Sequence, residues 1–157
     1  MGFRIVPIDE SVAKEVRATS RSPGYGHPAW VEVAEGSAPC RLCLDVIEPG
    51  VERLMGFTYD AFRVAPEREV VPLPGPVFVH ERECVPYRDV GRFPPRLGGS
   101  GVLLGAYRRG RRPLVERLVD RPEIDEALAE LCGRPDVDYV QVRSATAGCY
   151  VCMVLPV

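Results

Sequence analysis

The chain lacks any apolar, uncharged stretch long enough to cross a bilayer, and it has no marked excess of charge of either sign. Residues 1–10 lack the basic, apolar and small-residue order of a secretory signal peptide. With a net charge of -2, the composition argues against a generic binder of nucleic acid or of acidic membranes. These absences predict a cytoplasmic protein with no membrane partner.

No internal repeat, linker or low-complexity tail divides the sequence. A length of 157 residues therefore predicts a single domain, 1–157, with a core that needs no disulfides to be stable. In a reducing cytoplasm, the six cysteines are expected to be free thiols, metal ligands or redox groups.

Two amphipathic segments predict helices. Asp9 is the expected cap of the first, whose apolar Val12 and Val16 recur at helical spacing. Pro122 is expected in the first turn of the second helix, and Gly133 is expected to end it.

The remaining apolar segments are short, rich in β-formers and separated by proline and glycine, which is typical of antiparallel strands. They cover residues 3–8, 29–33, 53–59, 77–80, 102–107, 113–118, 137–142 and 149–155. We therefore predict an α+β fold with one curled, mainly antiparallel sheet and two helices. Gly110 is expected in a hairpin turn, and residues 66–76 and 86–95 are expected to form long, proline-rich loops.

Two Cys-x-x-Cys pairs are the strongest chemical feature. Cys40 and Cys43 lie in A-P-C-R-L-C-L, and Cys149 and Cys152 lie in A-G-C-Y-V-C-M. Four thiolates suit one tetrahedral zinc ion, which makes zinc the candidate cofactor. This set requires the early and late segments to meet. It also needs a bend or bulge near the end of the chain, since residues three apart on a regular strand face opposite sides.

A rival set of ligands contains the same first pair. His80 and Cys84, in G-P-V-F-V-H-E-R-E-C, could join Cys40 and Cys43 in a site with three sulfurs and one nitrogen. Both sets satisfy the chemistry of zinc, and the sequence does not choose between them.

A catalytic alternative uses the same residue types. Cys149 or Cys84 could act with His80 as the nucleophile of a thiol-dependent redox or transfer enzyme. Arg41 would favour a thiolate within the first pair, but Pro39 precedes it and no βαβ pattern surrounds it.

Two arginines flank the cysteine motifs. If Arg41 and Arg143 face inward, each guanidinium needs a carboxylate, backbone carbonyls or a bound anion. If both line a pocket with His80 and Tyr87, a small anion is the expected ligand. The sequence therefore favours a ligand- or partner-binding module stabilised by a cysteine-ligated zinc.

Five segments together resemble a known family. In chain order they are F-R-I-V-P-I-D, A-P-C-R-L-C-L, I-E-P-G-V-E-R-L-M-G-F-T-Y, G-P-V-F-V-H-E-R-E-C and V-R-S-A-T-A-G-C-Y-V-C. They resemble the bacterial domain of unknown function 1203. The resemblance implies a soluble bacterial domain and brings no established activity. One form of that family has Ser at the position of Cys43 and Ala at that of Cys152. Where the family commonly has P-G-E, this chain has P-G-V-E, and a turn role is expected for Glu52.

Overall fold

The computed structural model describes residues 2–60, 75–109 and 112–157. Within these ranges the strands are β1 (Phe3–Val6), β2 (Trp30–Val33), β3 (Ala38–Pro39), β4 (Val46–Ile47), β5 (Arg53–Tyr59), β6 (Gly75–His80), β7 (Val102–Arg108), β8 (Arg112–Val119), β9 (Tyr139–Ser144) and β10 (Tyr150–Pro156). The helices are α1 (Glu10–Thr19) and α2 (Ile124–Cys132), the latter preceded by a one-turn 3-10 helix, Arg121–Glu123. Antiparallel strands with two helices confirm the α+β class.

The described strands form three sheets, where the sequence predicted one. Five strands pair in the order β1-β10-β9-β7-β8, three in the order β2-β5-β6, and β3 pairs with β4 alone. All of these pairings are antiparallel. The sheets are separate because β2, β5 and β6 pair among themselves and β3 pairs with β4. The last strand, β10, instead pairs with β1 and β9. The curl and the proline-rich loops stay predictions; residues 66–74 and the turn at Gly110 lie outside the described residues.

Helix α1 begins and ends as its sequence predicts. The Asp9 carboxylate accepts the backbone N–H of Ser11 at 2.8 Å, which satisfies one free donor of the first turn. Ser20 ends the helix in the left-handed region, at φ 53°, and its N–H donates to the carbonyl of Val16. Val12 and Val16 are buried, so the predicted apolar face is confirmed.

Helix α2 differs from the prediction at its start. Pro122 lies in the preceding 3-10 turn rather than in the α-helix itself, which begins at Ile124. Gly133 caps the end as expected, with its N–H donating to the carbonyl of Ala129. Among the described residues, no helix is both long enough and apolar enough to cross a membrane.

The buried side chains form two main clusters. One lies between the five-stranded sheet and α2, and it includes Cys132 and Cys152. The other lies among α1, the three-stranded sheet and the β3–β4 hairpin, and it includes Cys40 and Leu42. The two Cys-x-x-Cys motifs are therefore attached to different parts of the core.

Candidate metal centre

The first Cys-x-x-Cys motif forms the tight turn between β3 and β4. The N–H of Cys40 donates to the carbonyl of Asp45 at 2.9 Å, and the N–H of Leu44 donates back to the carbonyl of Cys40 at 2.8 Å. Leu44 has a left-handed backbone at φ 54°, a conformation that costs a residue with a side chain about 1–2 kcal/mol. Burial of the leucine side chain in the core offsets this cost.

Four side chains converge beside this turn. The ligand atoms of Cys40, Cys43, His80 and Cys84 all lie within 4.8 Å of one another. The Sγ atoms of Cys40 and Cys84 are 3.7 Å apart, and Cys43 Sγ is 3.5 Å from His80 Nδ1. Around a tetrahedral zinc ion with bonds of about 2.3 Å to sulfur and about 2.0 Å to nitrogen, these separations are about 3.8 Å and about 3.5 Å. This three-cysteine, one-histidine cluster could hold a metal such as zinc.

Glu52 orients the imidazole of His80. The register of β5 with β6 pairs Leu54 with His80, which brings the residue before β5 to the end of β6. Glu52 lies 3.3 Å from His80 Nε2 and also accepts the N–H of Glu48 and a guanidinium N–H of Arg82. The Glu48 N–H and Arg82 keep the pKa of Glu52 below its ordinary value. Because Nε2–H donates to the carboxylate, Nδ1 is left to face the cysteines.

Arg17 joins α1 to the cluster. Its Nε and Nη2 atoms donate to the backbone carbonyl of His80 at 3.1 and 3.0 Å, and Nη2 also donates to Cys84 Sγ at 3.4 Å. Three thiolates and a neutral imidazole around a divalent ion would carry one net negative charge, which the guanidinium would offset. Arg17 therefore constrains the position of His80 and Cys84 and could compensate the charge of a metal complex.

Contacts within the cluster shift the pKa values of its thiols and imidazole. Hydrogen bonds with Cys43 and Cys84 lower the pKa of Cys40 well below its ordinary value. Hydrogen bonds with Cys40 and Cys84 raise the pKa of Cys43. Burial acts to lower the pKa of His80, but interactions with Cys40 and Cys84 outweigh it and raise the pKa to about 10. These directions favour a proton on the imidazole beside a Cys40 thiolate, and a bound metal ion would take the place of that proton.

The second Cys-x-x-Cys motif is not part of this group of four. Cys149 is half-buried, with Sγ 3.9 Å from the carbonyl of Ala147. Cys152 is fully buried in the other core cluster, and burial raises its pKa to about 12. The register of β10 shifts between Tyr150 and Cys152, so the irregularity that the four-cysteine set required is present. Of the catalytic pairs, Cys84 lies beside His80 in the cluster, whereas Cys149 does not belong to it.

The side chain of Arg41 extends from the first Cys-x-x-Cys motif to the second. Its side chain is 2% exposed, and it donates to the backbone carbonyls of Tyr150 at 2.8 Å and of Pro39 at 2.7 Å. Its guanidinium carbon also lies 5.6 Å from the ring centre of Phe78. Burial lowers the pKa of Arg41 to about 10, although nearby Cys149 opposes the change. Backbone carbonyls, one of the partners expected for an inward arginine, therefore hold it.

The other two predicted ligand-binding residues have local partners. Tyr87 donates its hydroxyl hydrogen to the carbonyl of Arg92 at 2.8 Å. Arg143 Nη2 lies 3.1 Å from the hydroxyl of Tyr107 and 3.3 Å from Glu116. None of these contacts involves Arg41 or His80.

Sequence reasoning missed Glu52 and Arg17. Glu52 lies in a block whose composition indicates a turn, and Arg17 is an ordinary basic residue in the last turn of a helix. Each acquires its role from a partner distant in sequence, His80 for both and Cys84 for Arg17.

A cleft of about 280 Å³ is lined in part by Pro39 and Val46 of the same hairpin. The glycine-rich loop at residues 98–101, Ser144 and Thr146 also line it. Its mixture of apolar and small polar groups is typical of sites for small molecules.

Fold and site together define an α+β domain with a three-cysteine, one-histidine cluster. Residues 37–155 match the family described as "Protein of unknown function (DUF1203)", and the chain belongs to this family. The match covers most of the chain and includes every residue of the cluster. No curated protein and no solved structure matches the chain. Family membership therefore brings no activity, and function has to be inferred from the site.

Proposed function

We propose that the protein is a zinc-stabilised binding module, with the ion held by the sulfurs of Cys40, Cys43 and Cys84 and by Nδ1 of His80. The observation that carries the proposal is the agreement between the separations of these atoms and those around tetrahedral zinc. Thiolate and imidazole ligands in this number favour zinc over magnesium or calcium, which prefer oxygen.

A structural role for the ion follows from the ligand count. Catalytic zinc sites keep one coordination position for water or substrate, whereas here four protein side chains would occupy all four positions. The ligands come from the β3–β4 turn, the end of β6 and the segment after β6. Through Arg17 the site also contacts α1. Zinc thus fastens the β3–β4 turn to the end of β6 and to the segment that follows it, in addition to the hydrogen bonds between Arg41 and Phe78 and between Tyr87 and Leu42.

The cleft beside the hairpin is the proposed binding site of the module. Because Pro39 directly precedes the first zinc ligand, an ordered metal centre keeps this wall of the cleft in position. Arg96, on its rim, is paired with Asp45 and Glu48, so its charge is compensated. The cleft therefore suits a small, largely uncharged ligand rather than the small anion expected from the arginines.

Elemental analysis of the purified protein and of four variants tests the zinc proposal. We expect about one zinc ion per chain in the wild type and a large loss of zinc in Cys43→Ser and Cys84→Ser. Cys149→Ser and Cys152→Ala are matched controls that should retain zinc. Chelation should lower the melting temperature of the wild type.

Two results would contradict the proposal. One is full zinc content in Cys84→Ser together with loss in Cys149→Ser, which would favour the four-cysteine set. The other is a wild-type protein that stays metal-free after reduction and incubation with zinc.

A further inference from the structure

Two of the clustered cysteines are suited to form a disulfide. The sulfurs of Cys40 and Cys84 lie 3.7 Å apart, in van der Waals contact. A disulfide bond is about 2.05 Å long, so the sulfurs need to approach by about 1.7 Å. Cys84 lies in the segment that follows β6, outside any described helix or strand, and a small backbone adjustment there can supply this approach.

The two sulfurs differ in their access to solvent. Cys40 has no exposed surface, whereas Cys84 is half-buried and lines an open groove of about 590 Å³. The other groove residues are Glu10, Lys14, Arg17, Ala18 and Glu83. Cys84 is the one cluster residue in this lining, so an oxidant that enters the groove meets it first.

Arg17 holds the Cys84 sulfur at the groove. Its Nη2 donates to Sγ at 3.4 Å while also fixed to the carbonyl of His80. The same N–H groups can bind an oxygen that becomes attached to, or leaves, this sulfur. An accessible sulfur, a neighbouring cationic donor and a second sulfur in contact are the requirements of an oxidation-sensitive cysteine pair.

We propose that Cys84 is a modification site for hydrogen peroxide and that a Cys40–Cys84 disulfide is the product. The Cys84 thiolate attacks one peroxide oxygen; the S–O bond forms, the O–O bond breaks and hydroxide leaves. Sulfur is oxidised by two electrons to sulfenic acid, and peroxide is reduced. The Cys40 thiolate then attacks the Cys84 sulfur; the S–S bond forms and a second hydroxide leaves. Protonation of both hydroxides gives two molecules of water.

The disulfide also has a consequence that rests on the proposed zinc site. Oxidation removes two of the four ligands, and Cys43 and His80 alone do not retain zinc. One equivalent of peroxide therefore releases the ion. Formation of the disulfide itself does not depend on metal.

The test uses the full chain, in both zinc-loaded and metal-free reduced forms. Each is treated with one equivalent of hydrogen peroxide, alkylated, digested without reduction and mapped by mass spectrometry. We expect the Cys40–Cys84 linkage in both forms, with zinc release that follows its formation in the loaded form. In Cys40→Ser, dimedone should label Cys84 as the sulfenic acid. Cys149→Ser is the matched control and should give the same linkage as the wild type.

The outcomes separate this proposal from the zinc proposal. A Cys40–Cys84 linkage in a protein that never binds zinc supports the modification site and rejects the metal site. Oxidation of Cys149 while Cys84 stays reduced overturns the modification site, as does a linkage between Cys40 and Cys43, even in a protein that binds zinc.

Discussion

Removal of the Glu52 carboxylate should weaken metal binding although Glu52 is not a ligand. Glu52 accepts a hydrogen bond from Nε2–H of His80, which leaves Nδ1 to bind the proposed metal ion. In Glu52→Ala the imidazole loses this partner and can rotate or carry its proton on the wrong nitrogen. Arg82, the other side-chain partner of Glu52, is largely exposed, so its loss of a carboxylate should cost little.

The magnitude follows from the geometry. Loss of such an outer partner typically lowers metal affinity about 10- to 100-fold, or about 1.4–2.8 kcal/mol. The contact of 3.3 Å with His80 is longer than the usual hydrogen bond of about 2.9 Å. We therefore expect the lower end of the range, about tenfold, for Glu52→Ala. Glu52→Gln keeps an acceptor but loses the charge, and it should cost less.

Competition with a chromophoric zinc chelator at constant pH measures this change. Glu81→Ala is the matched control, because Glu81 adjoins His80 in sequence but pairs with Arg53 at the surface. Zinc affinity of Glu52→Ala equal to that of the wild type would refute the orienting role. An equal loss in Glu81→Ala would show that the effect is not specific to the contact with His80.

Two further predictions concern the cleft and the core. In a fragment screen by protein-observed NMR, binders should perturb amides of residues 98–101; Ser100→Trp should abolish binding, and Val51→Trp, on an exposed site elsewhere, should not. Perturbations centred away from the cleft would contradict its role. Burial raises the pKa of Cys132 from 9.0 to about 11, so the neutral thiol favours the folded state below pH 9. This contribution is lost as pH rises from about 9 to about 11, at a cost of about 2–3 kcal/mol. In denaturant unfolding, the free energy of unfolding should fall less steeply with pH in Cys132→Ala than in the wild type over this interval. Identical dependence on pH in the two proteins would argue against the raised pKa.

Features governed by local contacts could be predicted from the sequence. The cap at Asp9, the buried positions Val12 and Val16, and the end of α2 at Gly133 depend on residues within one or two helical turns. Because the Cys40–Cys43 spacing is compatible with a tight turn, its ability to direct two sulfurs toward one ion was also predictable.

The choice of the remaining ligands was not predictable, because it depends on pairing between distant strands. His80 reaches the cluster through the register of β6 with β5, and Arg41 fills the space next to Tyr150 where the second motif approaches the first. Glu52 joins through the same register. A one-residue slip would have turned His80 to the other face, and nothing in the sequence of either strand alone fixes that choice.

Arg41 also joins the three-stranded sheet to the five-stranded sheet through its hydrogen bonds. Its backbone N–H donates to the carbonyl of Phe78 in the three-stranded sheet, while its side chain reaches the carbonyl of Tyr150 in the five-stranded sheet. Because Arg41 lies within the Cys40–Cys43 turn, one buried residue joins this turn both to the three-stranded sheet and to the last strand of the five-stranded sheet. The position of the sulfur cluster therefore depends on contacts with both larger sheets.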